Sequence, residues 1–119
     1  MTLKRIGNTT KNTLLVQDLR VANTFWSRLR GLLGTASLPA GQGLLITPCS
    51  SIHMFGMRYA LDVIFLDRDF KVRKILYSLP PGATARCPGS AHVLELSGGT
   101  LSHTAVSLND QLTIMGDDS

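Results

Sequence analysis

The stretch LDVIFLDRDFKVRKILY, residues 61–77, decides the fold. Leu61 to Leu66 is a short apolar run rich in branched and aromatic side chains, and it reads as a strand. Phe70 to Tyr77 reads as another, with Asp67, Arg68 and Asp69 between them as turn residues. The two segments are expected to pair as a β-hairpin. One carboxylate, Asp62, interrupts the first apolar run. A carboxylate in such a place leaves water as the strand packs, so it needs a partner.

Upstream, the spacing predicts a weak strand near residues 2–6, a second over 13–19 (TLLVQDL) and a short buried one over 43–47 (GLLIT). Pro48 ends the last of these, because proline cannot donate to a ladder. Between them, Ala22, Phe25, Trp26, Leu29, Leu32 and Leu33 recur at spacings of three and four. That spacing predicts the one main helix, at about 22–33. Asn23 or Thr24 would cap it, Gly31 or Gly34 would end it, and Phe25 and Trp26 would anchor it in the core. Downstream, PPGATARCPG reads as irregular and His92 to Leu96 as a strand. A helical turn over 99–104, a last strand over 111–114 and a frayed tail over 115–119 follow. Short connections favour antiparallel pairing. The expected class is β-rich α+β, either a small antiparallel barrel or two packed sheets with the one helix, in a single domain of residues 1–119.

Composition narrows the function. Apolar residues make up 44% of the 119 residues and charged residues 17%, which is globular and not disordered. No apolar run is long enough for a membrane-spanning helix, and no secretory signal opens the chain, so the sequence reads as cytoplasmic. The net charge of +4 is modest, and the basic run Arg68, Lys71, Arg73 and Lys74 around the hairpin reads as split between faces, so nucleic acid is not an expected partner. Cys49 and Cys87 are too few for a disulfide scaffold and are expected to be unbridged. Three histidines and two cysteines match no standard zinc spacing, so neither a metal site nor a cofactor is expected.

The segment richest in reactive side chains is Pro48 to Asp62, PCSSIHMFGMRYALD. Cys49 and His53 would stand roughly 13 Å apart in an extended chain but adjacent in a helical turn, so a Cys–His dyad requires coiling there. The alternative is a buried inert thiol beside a packing histidine. Asp62 reads either as a general base or ligand anchor, or as a carboxylate accepting backbone N–H bonds. Glu95, the only glutamate, lies between Leu94 and Leu96. If its strand is central it needs a partner, for which Arg58 or Arg86 would serve. Together, Asp62 and Glu95 read as an acid–base pair or as parts of a structural ion-pair network.

The order of RLRGLLG, GQGLLITPCSSIHMFGM, LDVIFLDRDFKV, HVLELSGG and LNDQL resembles the bacterial and archaeal family called domain of unknown function 192, from about Ala22 to Ile114. The resemblance implies a compact β-rich fold with no assigned reaction, in a family whose members often carry an export signal. By position it stresses Arg28, Gly31, Met57, Asp62, Leu94 to Leu96, Gly99 and Asp110, and a subset of relatives shares Pro48-Cys49 and Ile52-His53. This chain departs from the pattern at Met54, Ala60, Phe70, Asn109 and His103; Phe70 and Asn109 stand where glycine is expected.

Three functional readings follow. The leading one is a ligand-binding or accessory module with a polar cleft around residues 49–62, in which Asp62, His53, Glu95, Met57 and Arg58 bind a small molecule. The second is a hydrolase or thiol-dependent enzyme using Cys49, His53 and Asp62. The third is a protein-interaction module. An enzyme calls for a low-pKa thiol in a pocket, a binding module for a preformed cleft with inert thiols, and an interaction module for an exposed apolar patch.

Overall fold

The computed structural model describes residues 4–116. Among them the order is β1 (Lys4–Asn8), β2 (Thr13–Val16), β3 (Asp18–Ala22), α1 (Phe25–Arg30), β4 (Gln42–Ile46), β5 (Ser51–His53), β6 (Leu61–Leu66), β7 (Val72–Leu79), β8 (Thr84–Arg86), β9 (His92–Ser97), α2 (Thr100–His103) and β10 (Leu112–Gly116). The strands form a five-stranded sheet in the order β3-β4-β9-β6-β7, a three-stranded sheet β10-β1-β2 and a two-stranded ribbon β5-β8.

The stretch at residues 61–77 does what its composition requires. Strand β6 lies between β9 and β7, and all six of its residues are buried. The β6–β7 hairpin turns through Asp67, whose Oδ1 accepts the N–H groups of Asp69 and Lys71 at 2.8 and 3.0 Å. Phe70 closes the turn at φ 65°, where glycine is free of strain and a bulky side chain is not. Its ring stacks on His92 at 4.2 Å and packs against the core, which offsets a backbone cost of order 1–3 kcal/mol.

Two apolar cores flank the five-stranded sheet. Ile64, Leu66, Leu45, Leu94 and Leu96 meet Ile6, Val16 and Leu112 of the three-stranded sheet. On the other face Leu44, Ile46, Leu61, Val63, Phe65 and Val93 meet Leu32, Leu38 and Met54, with Ile52 and Ala85 of the β5–β8 ribbon packed against them. The packed-sheet alternative is therefore the correct one, and no closed barrel forms among the described residues. Antiparallel pairing prevails, with one exception. Strands β3 and β4 run parallel, because the chain crosses from one to the other through α1 and the loop after it.

Several elements differ from expectation for identifiable reasons. The 13–19 segment breaks at Gln17 into β2 and β3, which belong to different sheets. The expected helix over 22–33 shrinks to Phe25–Arg30. Ala22 pairs with Ile46 in the β3–β4 ladder, and Gly31 at φ 51° ends the helical turn. Its capping is as expected: the Thr24 hydroxyl accepts the Ser27 N–H, and the Ser27 hydroxyl accepts the Thr24 N–H. Its anchors are not. Phe25, Trp26 and Leu29 are 62%, 74% and 56% exposed, so within α1 the recurring spacing marks a face turned to the surface, while Ala22 and Leu32, outside α1, are buried in the core. Trp26→Ala is accordingly expected to cost less than about 1 kcal/mol, and urea unfolding of the two proteins should nearly superimpose. The stretch read as irregular contains β8, and Met115 and Gly116 of the expected frayed tail belong to β10, while residues 117–119 of that tail lie outside the described residues.

Candidate functional site

Directly opposed residues of an antiparallel ladder project to the same side of a sheet. Glu95 opposes Leu44 of β4 and Val63 of β6, both members of the core nearer α1. Asp62 opposes Leu96, a member of the other core. The two carboxylates set in apolar strands therefore stand on opposite faces of the sheet. They cannot form an acid–base pair.

Asp62 proves to be a fastener. Tyr77 and Ser78 bulge opposite it, between the Leu61–Leu79 and Val63–Leu76 pairs. Its Oδ1 accepts the N–H of Ser78 and its Oδ2 the N–H of Leu101, both at 2.8 Å. One side chain thus satisfies the bulge, where Ser78 sits at φ 49°, and the first turn of α2. Asp110 plays a similar part between β1 and β10, taking bonds from Asn8, Lys11 and the Ser107 N–H. Burial alone would raise the Asp110 carboxyl, but these donors together hold it below the usual range.

Glu95 has no such partner among the described residues. It is 4% exposed, and its Oε1 is buried without a hydrogen bond. Neither Arg58 nor Arg86 reaches it; among the described residues the ion pair is Lys11–Asp110. Burial pushes the Glu95 carboxyl up to about 7. Above it opens a cleft of about 190 Å³, walled on one side by Arg28 to Leu33 and on the other by Pro48, Cys49, β5, Met54 and Met57.

Around the cleft, Arg28 donates from Nη1 to the Pro48 carbonyl at 3.1 Å, while its Nε is buried and unpartnered. The Cys49 thiol donates to the Ser51 carbonyl at 3.1 Å. Burial raises that thiol and the Glu95 charge adds to the effect, outweighing the Ser51 bond and Arg28, which act the other way. His53 is exposed and stacks on Phe55 at 5.2 Å. Cys49 and His53 both line the cleft, but the hydrogen bond of Cys49 goes to Ser51, and no Cys–His bond forms. A thiol raised in this way is mostly protonated at neutral pH and is a poor nucleophile. Intact mass is expected to show two free thiols, with Cys49 reacting with iodoacetamide more slowly than a free cysteine and accelerating as pH rises. Rapid labelling of Cys49 at neutral pH would contradict this.

Of the expected site residues, Cys49, His53, Met57 and Glu95 come together, and Asp62 and Arg58 stand apart. Arg28 is the cleft residue that residue-by-residue reading missed; only the family pattern stressed it. The match to that family covers residues 6–114, as an uncharacterised conserved group (DUF192, Uncharacterized ACR). The chain belongs to the DUF192 family. It is 28% identical over 110 residues to a UPF0127 protein of Thermococcus sibiricus (strain DSM 12597 / MM 739), covering 88% of this chain and 71% of that one. Two crystal structures share the fold. One is a protein of unknown function from Novosphingobium aromaticivorans DSM 12444, with TM-score 0.79, 20% identity and coverage of 93% of this chain and 83% of the other. The second, from Sinorhizobium meliloti 1021, is named as a candidate transcription regulator, with TM-score 0.81, 22% identity and coverage of 95% and 93%. At these identities the likeness of this DUF192 chain to both concerns the fold alone.

Proposed function

We propose that this DUF192 protein is a binding module for a small polar molecule that enters the cleft above Glu95. The observation that carries this reading is the Glu95 Oε1, buried in a central strand and left without a partner. Buried polar groups are ordinarily satisfied, and an orphaned one costs about 1–3 kcal/mol, a cost that a ligand donor would relieve. The unpartnered Nε of Arg28 lines the same cleft and calls for an acceptor. The ligand therefore brings a donor to Glu95 and an acceptor to Arg28, with apolar atoms against Ile46, Met54 and Met57. The space, about six waters in size, suits a compact molecule of amino-acid or amino-alcohol type. A hydrolase or thiol-dependent reaction through Cys49, His53 and Asp62 is the weaker reading, because Asp62 faces away and the Cys49 thiol is raised.

The test is ligand-observed NMR with a set of small amines, amino acids, amino alcohols and amides, run on the parent, Glu95→Leu and Arg28→Met. Members carrying both donor and acceptor should bind the parent and lose binding in each variant. A set with no binder, or binders indifferent to both changes, would sink the reading.

A further inference from the structure

Residues 19–61 contain no Asp or Glu and four arginines, Arg20, Arg28, Arg30 and Arg58. Twelve Lys and Arg less these four leave eight, equal to the eight Asp and Glu, so this segment carries the whole net charge of +4. Asp18, the nearest acid before it, sits at the end of β3 away from α1, and Glu95 beneath it is buried. The same segment presents the apolar face of α1. Phe25 and Trp26 pack edge to face at 5.1 Å, and Leu29 stands one turn on. Arg20 and Arg30 share a shallow recess with Trp26. Phe55 stacks on His53, which lines the opposite wall of the cleft, and is 56% exposed.

We infer that this face docks on an anionic lipid surface, with Phe25, Trp26 and Leu29 entering the interfacial layer and Arg20 and Arg30 meeting acidic headgroups. A monomeric protein keeps large apolar side chains together at the surface when something covers them. Three observations favour lipid as the cover. Arg20 and Arg30 line the recess beside Trp26 and no acid does, which complements a negative surface and not a neutral one. The apolar members of the patch belong to a helix of six residues with none of its residues buried, and a fluid interface accepts such exposed side chains without a matching pocket. Tryptophan beside basic residues is the side-chain pair that settles at headgroup depth. Base stacking fits less well: the Phe25 and Trp26 planes stand at 82° to one another and so offer no aligned platform for successive bases, and Leu29 has no π face.

Trp26 is the only tryptophan, so its emission reads the contact directly. The protein is titrated with vesicles of phosphatidylglycerol and phosphatidylcholine in equal parts, and with vesicles of phosphatidylcholine alone. The mixed vesicles should shift emission to the blue and co-sediment with the protein, and added salt should reverse both effects. Arg20→Gln with Arg30→Gln should weaken partitioning about thirtyfold while leaving the probe in place. Trp26→Ala with Leu29→Ala, followed by sedimentation, should lose it as well. All four positions are exposed, so an unfolding curve like the parent's is expected for both variants. An unmoved emission maximum with no co-sedimentation overturns the inference. So does equal binding to both vesicle types, or a shift produced by poly-glutamate or single-stranded DNA but not by vesicles.

Discussion

Glu95→Gln is expected to stabilise the protein by about 3 kcal/mol at pH 8 and to have little effect at pH 4. The carboxyl is pushed up to about 7 in the folded protein from an ordinary 4.5. The folded state therefore holds its proton more tightly than the unfolded state between those values. Stability is fully present below pH 4.5 and declines as pH rises toward 7, because the unfolded chain releases a proton that the folded chain must keep or give up at a cost. Above 7 the loss is constant. Glutamine keeps the shape and cannot ionise, so its advantage should grow through the same window and then level off. The corresponding shift in Tm at pH 8 is on the order of 10 °C. Urea unfolding of parent and variant from pH 4 to 8 decides the matter. A difference that does not change with pH would show that Glu95 titrates normally, and the cleft would lose its unsatisfied carboxylate.

A carboxylate that weakens the fold at neutral pH, beneath an open cleft, is what separates Glu95 from the other buried acids. Asp62 and Asp110 are each fully engaged by donors within the fold. The sequence reveals that Asp62 and Glu95 lie in apolar strands, but whether each is paired depends on which strands flank it and which face it takes. That information lies in the ladder register, which is set by contacts far apart in the chain. The β6–β7 hairpin was legible because its strands, turn residues and pairing are contiguous in sequence. The β5–β8 ribbon was not, because it consists of two three-residue strands with thirty residues between them, one of them in a stretch dominated by Pro and Gly. The α1 face was misread for a related reason. Helical spacing shows that Phe25, Trp26 and Leu29 share a side, but it carries no information about what that side meets. Cys49, His53 and Met57 line the cleft, in the segment where polar and sulfur-bearing residues concentrate. Its other wall, Arg28 to Leu33, comes from a helix the sequence had assigned to the core.

Asp62→Ala is expected to cost about 3–5 kcal/mol, and Asp62→Asn about 1–3 kcal/mol. The carboxylate serves two backbone donors from separate elements, the Ser78 N–H in the bulge of β7 and the Leu101 N–H in α2. Alanine leaves both N–H groups without acceptors, and at 1% exposure water does not readily replace the lost oxygens. Asparagine supplies one acceptor and turns its NH₂ toward the other N–H, so one bond survives and two donors face each other. Among the described residues no cation sits beside Asp62 whose charge would be left uncompensated, which is why the asparagine variant should fall between the parent and alanine. The loss should be local in character. Hydrogen exchange at Ser78 and Leu101 should quicken by more than at Ile64 or Leu94 in the core of the same sheet. The distinguishing measurement is urea unfolding of parent, Asn and Ala forms in one buffer, with exchange read at those amides. Coincident unfolding curves would mean that the bulge and α2 hold without Asp62. Equal losses in Asn and Ala would mean that the charge of Asp62, and not its second acceptor oxygen, is what the two amides require.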